Sequence, residues 1–193
     1  ATPGQGAPLA ALLQVEAGRI DEARTTLQGI DGPQTPATQL VGAILCDEEG
    51  DPEGAWERMQ ALWKEHKTPP DVLMAAHGLH LGADVRTMLE EMEAVRPRLD
   101  PWLAGIPLQP GFDACRAWVL AVEGDEAAAR AVLPTVTTLP PLYQIELDYL
   151  VGRTLHALGD PRSTQVLTRA AAGPGRAGRL AARFLASLPS DAG

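Results

Sequence analysis

Three stretches of this 193-residue chain hold residue types whose spacing suggests chemistry. "HGLH" sets His77 and His80 at i, i+3 on one helix face, close enough for two imidazoles to share a metal. A metal site needs a third and a fourth ligand, and the nearest acid, Asp84, lies across a turn. "CDEEGD", Cys46 to Asp51, gathers carboxylates but lacks the alternating ligand positions of a calcium loop. Its acids fall at a helix C-terminus, where the dipole disfavours them, so the cluster reads as an outward-facing, solvated turn. "GPGRAG", Gly173 to Gly178, has the letters of a dinucleotide fingerprint. That chemistry requires a preceding parallel strand and an acid about 20 residues later. Here an Ala-rich helical segment precedes it and the proline suits a linker. No GxSxG, HExxH, Walker loop or Cys-x-x-Cys is written in the chain, so His77, His80, His156 and Arg153 are the only nucleus for an enzymatic reading. The expectation is a chain without catalytic residues, metal or cofactor.

The elements that must position these residues are helices. Aromatic residues are few (four Trp, two Tyr, two Phe) against an excess of Ala and Leu, which suits close helix-on-helix packing. Strand-like runs are scarce; "TVTTL", Thr135 to Leu139, is the best and is too short. The fold class is all-α. The net charge of −9 argues against a nucleic-acid binder, which needs a basic face. Five arginines and no acid lie between Arg162 and Arg183, and they read as the basic face of a last helix. Apolar runs are too short to cross a bilayer. Two cysteines make no disulfide framework, which points to a reducing, cytoplasmic compartment. The start, Ala-Thr-Pro without Met or a leader pattern, reads as a piece of a longer protein.

A repeat organises the helices. Gly18, Gly50, Gly82, Gly124 and Gly159 recur in similar contexts at intervals of 32, 32, 42 and 35 residues. Seven residues before each stand Ala11, Ala43, Ala75, Ala117 and Gly152; five after stand Ala23, Ala55, Thr87, Ala129 and Thr164. Twelve after stand Ile30, Leu62, Ala94, Val136 and Ala171. Two small columns and one apolar column are what a helix–turn–helix unit needs where its helices cross. Each glycine is expected to close its first helix in a left-handed conformation. Asp51, Asp125 and Asp160 follow directly and are placed to cap the next helix.

On these features the chain resembles the tetratricopeptide repeat (TPR) family, best in "LLQVEAGRIDEARTTLQGI", "GAILCDEEGDPEGAWERMQAL" and "AWVLAVEGDEAAARAVLPTV". The units span about 6–33, 36–68, 69–97, 111–138 and 141–172 of a single domain, with an insertion at 98–110 and a capping helix at 175–189. The third and fifth units are degenerate: Glu91 and Thr168 stand where Leu27, Met59 and Leu133 stand elsewhere. In the capping helix Leu180, Phe184 and Leu188 share an apolar face, and Arg176, Arg179 and Arg183 a wet one. The resemblance implies a right-handed superhelix of antiparallel helix pairs whose first helices line a concave groove.

In that register the groove carries Leu40, Ile44, Asp47, Glu48, His80, Trp118, Tyr149, Arg153 and His156, with Trp102 of the Pro-rich insertion as a further anchor. The Lys/Asn carboxylate clamp of chaperone-binding relatives is missing, since the chain has no Asn. The expected function is a non-catalytic interaction scaffold that holds a partner peptide or helix by apolar anchors, with charges setting its register. The competing expectation is a ligand- or peptide-sensing effector domain of a larger bacterial signalling or transcription regulator.

Overall fold

The computed structural model describes residues 6–31, 35–65, 109–133 and 141–189. Among them every regular element is a helix: α1 (Gly6–Glu16), α2 (Ile20–Gln28), α3 (Pro36–Glu48), α4 (Pro52–Glu65), α5 (Gln109–Val122), α6 (Glu126–Val132), α7 (Pro141–Ala157), α8 (Arg162–Ala171) and α9 (Gly175–Ser187). The chain is all-α in this sense. None of these helices is long and apolar enough to cross a membrane. The chain divides into two compact units, residues 1–104 and 105–193. The first holds α1 to α4 and the second α5 to α9.

Four turns share one construction. Gly18, Gly50, Gly124 and Gly159 have φ of 75°, 87°, 86° and 64°, the left-handed region that a Cβ penalises. Each glycine amide donates to the carbonyl three residues back: Val15, Asp47, Ala121 and His156, at 2.9–3.2 Å. The next amide donates five back, to Gln14, Cys46, Leu120 and Leu155, at 2.8–2.9 Å. These paired bonds satisfy the last carbonyls of α1, α3, α5 and α7, as in a Schellman C-cap. The aspartates then serve the following helix. Asp51 accepts from the Gly54 amide at 2.9 Å, Asp125 from the Ala128 amide at 3.1 Å and Asp160 from the Arg162 amide at 3.0 Å.

In three of the four pairs the next helix opens with an i→i+4 bond: the Ala23, Ala55 and Ala129 amides donate to the Arg19, Asp51 and Asp125 carbonyls. Those alanines are 0% exposed, and so are Ala11, Ala43 and Ala117 seven residues before the glycines. Both small columns are buried in these pairs. Met59 and Leu62 continue the buried face of α4, and Leu27 packs partly buried on the same core as Ala11, Val15, Leu40, Val41, Ile44 and Leu45.

The last pair departs from this register. There the Ser163 amide bonds the Asp160 carbonyl at 3.0 Å, an i→i+3 turn one residue tighter than the others. The buried face of α8 is therefore Ser163, Leu167 and Ala170, each one position earlier than the column residues. Thr164 and Thr168 are exposed. The sequence register placed Thr164 among the small residues and took Thr168 as a lost core position; both are corrected by this one-residue shift. The crossing is also built differently. A Cβ on Gly152 would sit 2.6 Å from Leu167 Cγ, so a residue with no side chain faces a large one, where the other pairs bury Ala in both columns. Fully burying such a leucine is worth about 1.5–3 kcal/mol. Asp148 (4% exposed) ties α7 to α8, accepting from Arg169 Nε at 2.5 Å and Nη2 at 2.7 Å and from Gln144 Nε2 at 2.9 Å.

In the first unit α3 packs on both α1 and α2. Its start is fixed by Thr35 and Thr38, which exchange backbone-to-hydroxyl bonds at 3.3 and 2.8 Å in a capping box, with Pro36 in the first turn. In the second unit α7 packs on α5, and α9 lies against both α7 and α8. Leu180 and Ala181 of α9 are buried and Phe184 and Leu185 partly so, against Tyr149, Leu167 and Ala170. Arg176, expected on the wet face, is only 3% exposed. The cause is the tight return from α8 to α9: a Cβ on Gly178 would collide with the Gly173 carbonyl oxygen. The first turn of α9 is thus pressed against the end of α8. Arg183, two turns on, is exposed.

Two predictions follow from burial. Ala43→Leu and Ala117→Leu should each destabilise by overpacking, about 1–3 kcal/mol in urea titrations; no loss at either site would disprove the buried small columns. Ser163→Glu should destabilise by more than about 1 kcal/mol while Thr164→Glu stays within about 0.5 kcal/mol. The reverse order would restore the unshifted register.

Candidate functional site

Of the residues expected to line a groove, Trp118, Tyr149, Arg153 and His156 are brought together in the second unit. Tyr149, Arg153 and His156 recur at i, i+4 and i+7 and so share one face of α7. Trp118 comes from α5, on which α7 packs. Trp118 and Arg153 hold the same offset, six residues before their turn glycines, in two helices that touch. The Arg153 guanidinium carbon lies 4.8 Å from the Trp118 ring centroid, 5.7 Å from that of Tyr149 and 4.4 Å from that of Phe184. Its Nη1 donates to the Tyr149 hydroxyl at 2.8 Å. Phe184 also meets the His156 ring edge-on, with centroids 5.2 Å apart and planes at 83°. Each cation–ring contact contributes about 0.5–1 kcal/mol when exposed and ~2 kcal/mol when desolvated.

The burial gradient across this cluster gives it a direction. Trp118 and Tyr149 are 5% and 3% exposed; Arg153 and Phe184 are half-buried and His156 is exposed. Among the described residues Arg153 has no carboxylate partner. Arg24, Arg130, Arg162 and Arg169 all do. A planar cation held by aromatic faces keeps its remaining N–H donors in a fixed fork, suited to a carboxylate or phosphate.

Phe184 was read in the sequence as core-facing only. Its i, i+4 spacing from Leu180 marks an apolar face, but nothing in the spacing says that the face ends beside an arginine. A second constellation was missed although its signal is written in the register. Arg24 and Arg130 both stand six residues after a turn glycine. Arg24 Nε and Nη2 bond Glu49 Oε1 at 2.9 and 2.8 Å, and Nη1 bonds Asp21 at 2.6 Å. Arg130 Nη1 reaches Asp160 at 3.2 Å and Nε bonds Glu126 at 3.0 Å. Each arginine thus links the second helix of one pair to the acidic turn of another. Asp160 receives Arg162 as well, at 2.8 Å, and the Arg162 side chain, then its amide, hold the carboxyl well below the usual carboxylate range.

The other candidates fall elsewhere. Leu40 and Ile44 are 6% and 1% exposed; they belong to the core of the first unit and present no anchoring surface. Asp47 and Glu48 end α3, half-buried and engaged by neighbouring groups. The "CDEEGD" turn is occupied with structure: Glu49 holds Arg24 and Asp51 caps α4. His77, His80, Asp84 and Trp102 lie outside the described residues. Among the described residues no three His, Cys, Asp or Glu side chains converge to hold a metal ion. In "GPGRAG" the preceding element is α8, and the glycines meet steric needs: Gly175 has φ 86°, and a Cβ on Gly173 would lie 2.6 Å from Ile145 Cγ1.

Comparison with protein-family models, with curated proteins and with solved structures returns no match.

Cys115, on α5 three residues before Trp118, is 4% exposed, and burial pushes its thiol up from 9.0 to about 12. The unfolded thiol ionises first, so this group's contribution to stability is full below pH 9 and is lost as pH rises toward 12. Urea midpoints should therefore fall between pH 8.5 and about 11, and the fall should be shallower in Cys115→Ala. Equal slopes in both proteins would show that this thiol is not buried.

Proposed function

We propose that the chain is a TPR-like solenoid of antiparallel helix pairs acting as a non-catalytic protein–protein interaction scaffold. The repeated turn, the small crossings and the recurring arginine-to-acidic-turn bridge support the solenoid reading, because each recurs at a fixed offset from a glycine. The partner site is the surface of the second unit around Arg153 and His156, floored by Trp118, Tyr149 and Phe184. The observation that carries this reading is Arg153: a half-buried guanidinium lying on three rings, hydrogen-bonded to a phenol and, among the described residues, without a carboxylate of its own. A partner segment with an acidic side chain beside an apolar one satisfies both parts of the cluster, and the desolvated aromatic floor makes the charge pair stronger than it would be in water.

Trp118 and Tyr149 are too buried to serve as test sites, because truncating either would open the core. Arg153→Gln, with His156→Ala as a second variant, separates binding from folding. Immobilised protein should retain from cell extract a partner that Arg153→Gln loses, with helix content by circular dichroism unchanged. The loss should be at least about tenfold, as for a charged hot spot of ~1.4 kcal/mol or more. Retention that is indifferent to both substitutions would place the partner site elsewhere.

A further inference from the structure

Two side-chain contacts cross the joint between the α5–α6 pair and the α7–α8 pair. At the candidate site the Arg153 guanidinium of α7 lies 4.8 Å from the Trp118 ring of α5. Past the end of α7, Asp160 accepts from Arg130 Nη1 of α6 at 3.2 Å. Arg153 and Asp160 are seven residues apart, which at the rise of a helix is about 10 Å. Two ties at that separation fix an angle that either one alone leaves free.

Each pair is held as one body. In α5–α6 the Gly124 turn closes with its paired hydrogen bonds, and Ala117 and Ala129 are 0% exposed at the crossing, so the helices have no slack to slide. In α7–α8 the Gly152 backbone lies against Leu167, and Arg169 holds Asp148. α9, which carries Phe184, packs on both α7 and α8 and belongs with them. Of the three rings around Arg153, Tyr149 and Phe184 therefore travel with the guanidinium. Trp118 comes from across the joint.

The second tie is itself oriented. Glu126 bonds Arg130 Nε and Nη2 at 3.0 and 2.9 Å, which leaves Nη1 to reach Asp160. The Asp160 side chain is only 9% exposed, and the bonds from Arg162 hold it ionised at ordinary pH. The Arg130 end is 40% exposed, so dissolved salt screens the pair. The contacts printed on Arg153 itself are to uncharged rings and a phenol, on which salt acts little.

We propose that Arg130 and Asp160 are positioning residues for the Arg153 site: their ion pair closes Trp118 onto the guanidinium and makes assembly of the site depend on ionic strength. The inference deepens the reading of that cluster as the partner site and rests on it for its functional meaning.

In the full chain, nuclear Overhauser contacts from the Arg153 side-chain protons to Trp118, Tyr149 and Phe184 report the three rings separately. Arg130→Gln removes the strut at one end. Asp160→Asn removes it at the other while keeping an oxygen for the Arg162 amide. In both variants the Trp118 contact should weaken selectively. The ratio of stacked to unstacked Trp118–Arg153 states should fall by up to about fivefold, the equivalent of the ~1 kcal/mol that an exposed pair can contribute. The parent chain in about 1 M salt should show the same selective loss, and Arg130→Gln should lose nothing further when salt is added. Arg24→Gln, which removes a similarly exposed bridge in the first unit, should leave all three contacts unchanged. The proposal is overturned if the Trp118 contact persists in both variants, or if all three contacts weaken together, since the unit would then be loosening and not turning at the joint. Retention of a partner from cell extract separates this proposal from the reading beneath it. Selective loss of the Trp118 contact with retention unchanged would leave the strut standing and place the partner site elsewhere.

Discussion

Two backbone hydrogen bonds at each glycine turn set the geometry on which everything else in this chain depends. When the glycine amide and its successor fold back onto the last turn of the first helix, they stop that helix and fix the direction in which the second one leaves. The phase of the second helix, and so which of its side chains meet the first, follows from the next bond made. An i→i+4 bond turns Ala23, Ala55 and Ala129 inward. An i→i+3 bond turns Ser163 and Leu167 inward instead. The small residues at the crossing answer to that phase, and so does the placing of Gly152 opposite Leu167.

Much of this was legible in the sequence because it is local. A glycine with a small residue seven positions before it and another five after defines a turn and a crossing without reference to anything distant. The four described turns, and the aspartates that cap the helices after Gly50 and Gly124, follow from residue type alone. What the letters did not reveal is a change of phase made by one hydrogen bond. Thr164 looked like a core residue of the last pair, and Thr168 like a lost one, because counting from Gly159 assumes that every turn has the same length. The buried Arg176 was hidden for a similar reason. Its i, i+3, i+7 spacing with Arg179 and Arg183 describes a face, and only the tight approach of Gly178 to the end of α8 decides that the face begins inside.

The candidate site divides along the same line. Trp118 and Arg153 share an offset and were both read as groove residues, but that they meet was not foreseen; it follows from the packing of α7 on α5. Leu40 and Ile44 obey the same offsets yet are core, because an apolar side chain at such a position packs between helices whenever a helix is there to receive it. Phe184 entered from α9, outside any repeat register, and so no column contained it. The arginines Arg24 and Arg130 were hidden by their plainness: an exposed arginine beside acids on a helix surface looks like solubilising charge until its reach to the next turn is seen. Exposed pairs of this kind contribute little each, so their part is to select an angle between helix pairs more than to stabilise one.

The tightened turn at Asp160 also says how such a chain tolerates change. Replacing an i→i+4 bond with an i→i+3 bond keeps the number of hydrogen bonds while rotating the following helix by one residue's worth of arc, about 100°. A core frame that has slipped by one position is thereby brought back to face the core. The glycine turn behaves as an adjustable joint that absorbs a frameshift in the packing pattern, so gain or loss of a residue is best tolerated at the joints and least tolerated within the helices they connect.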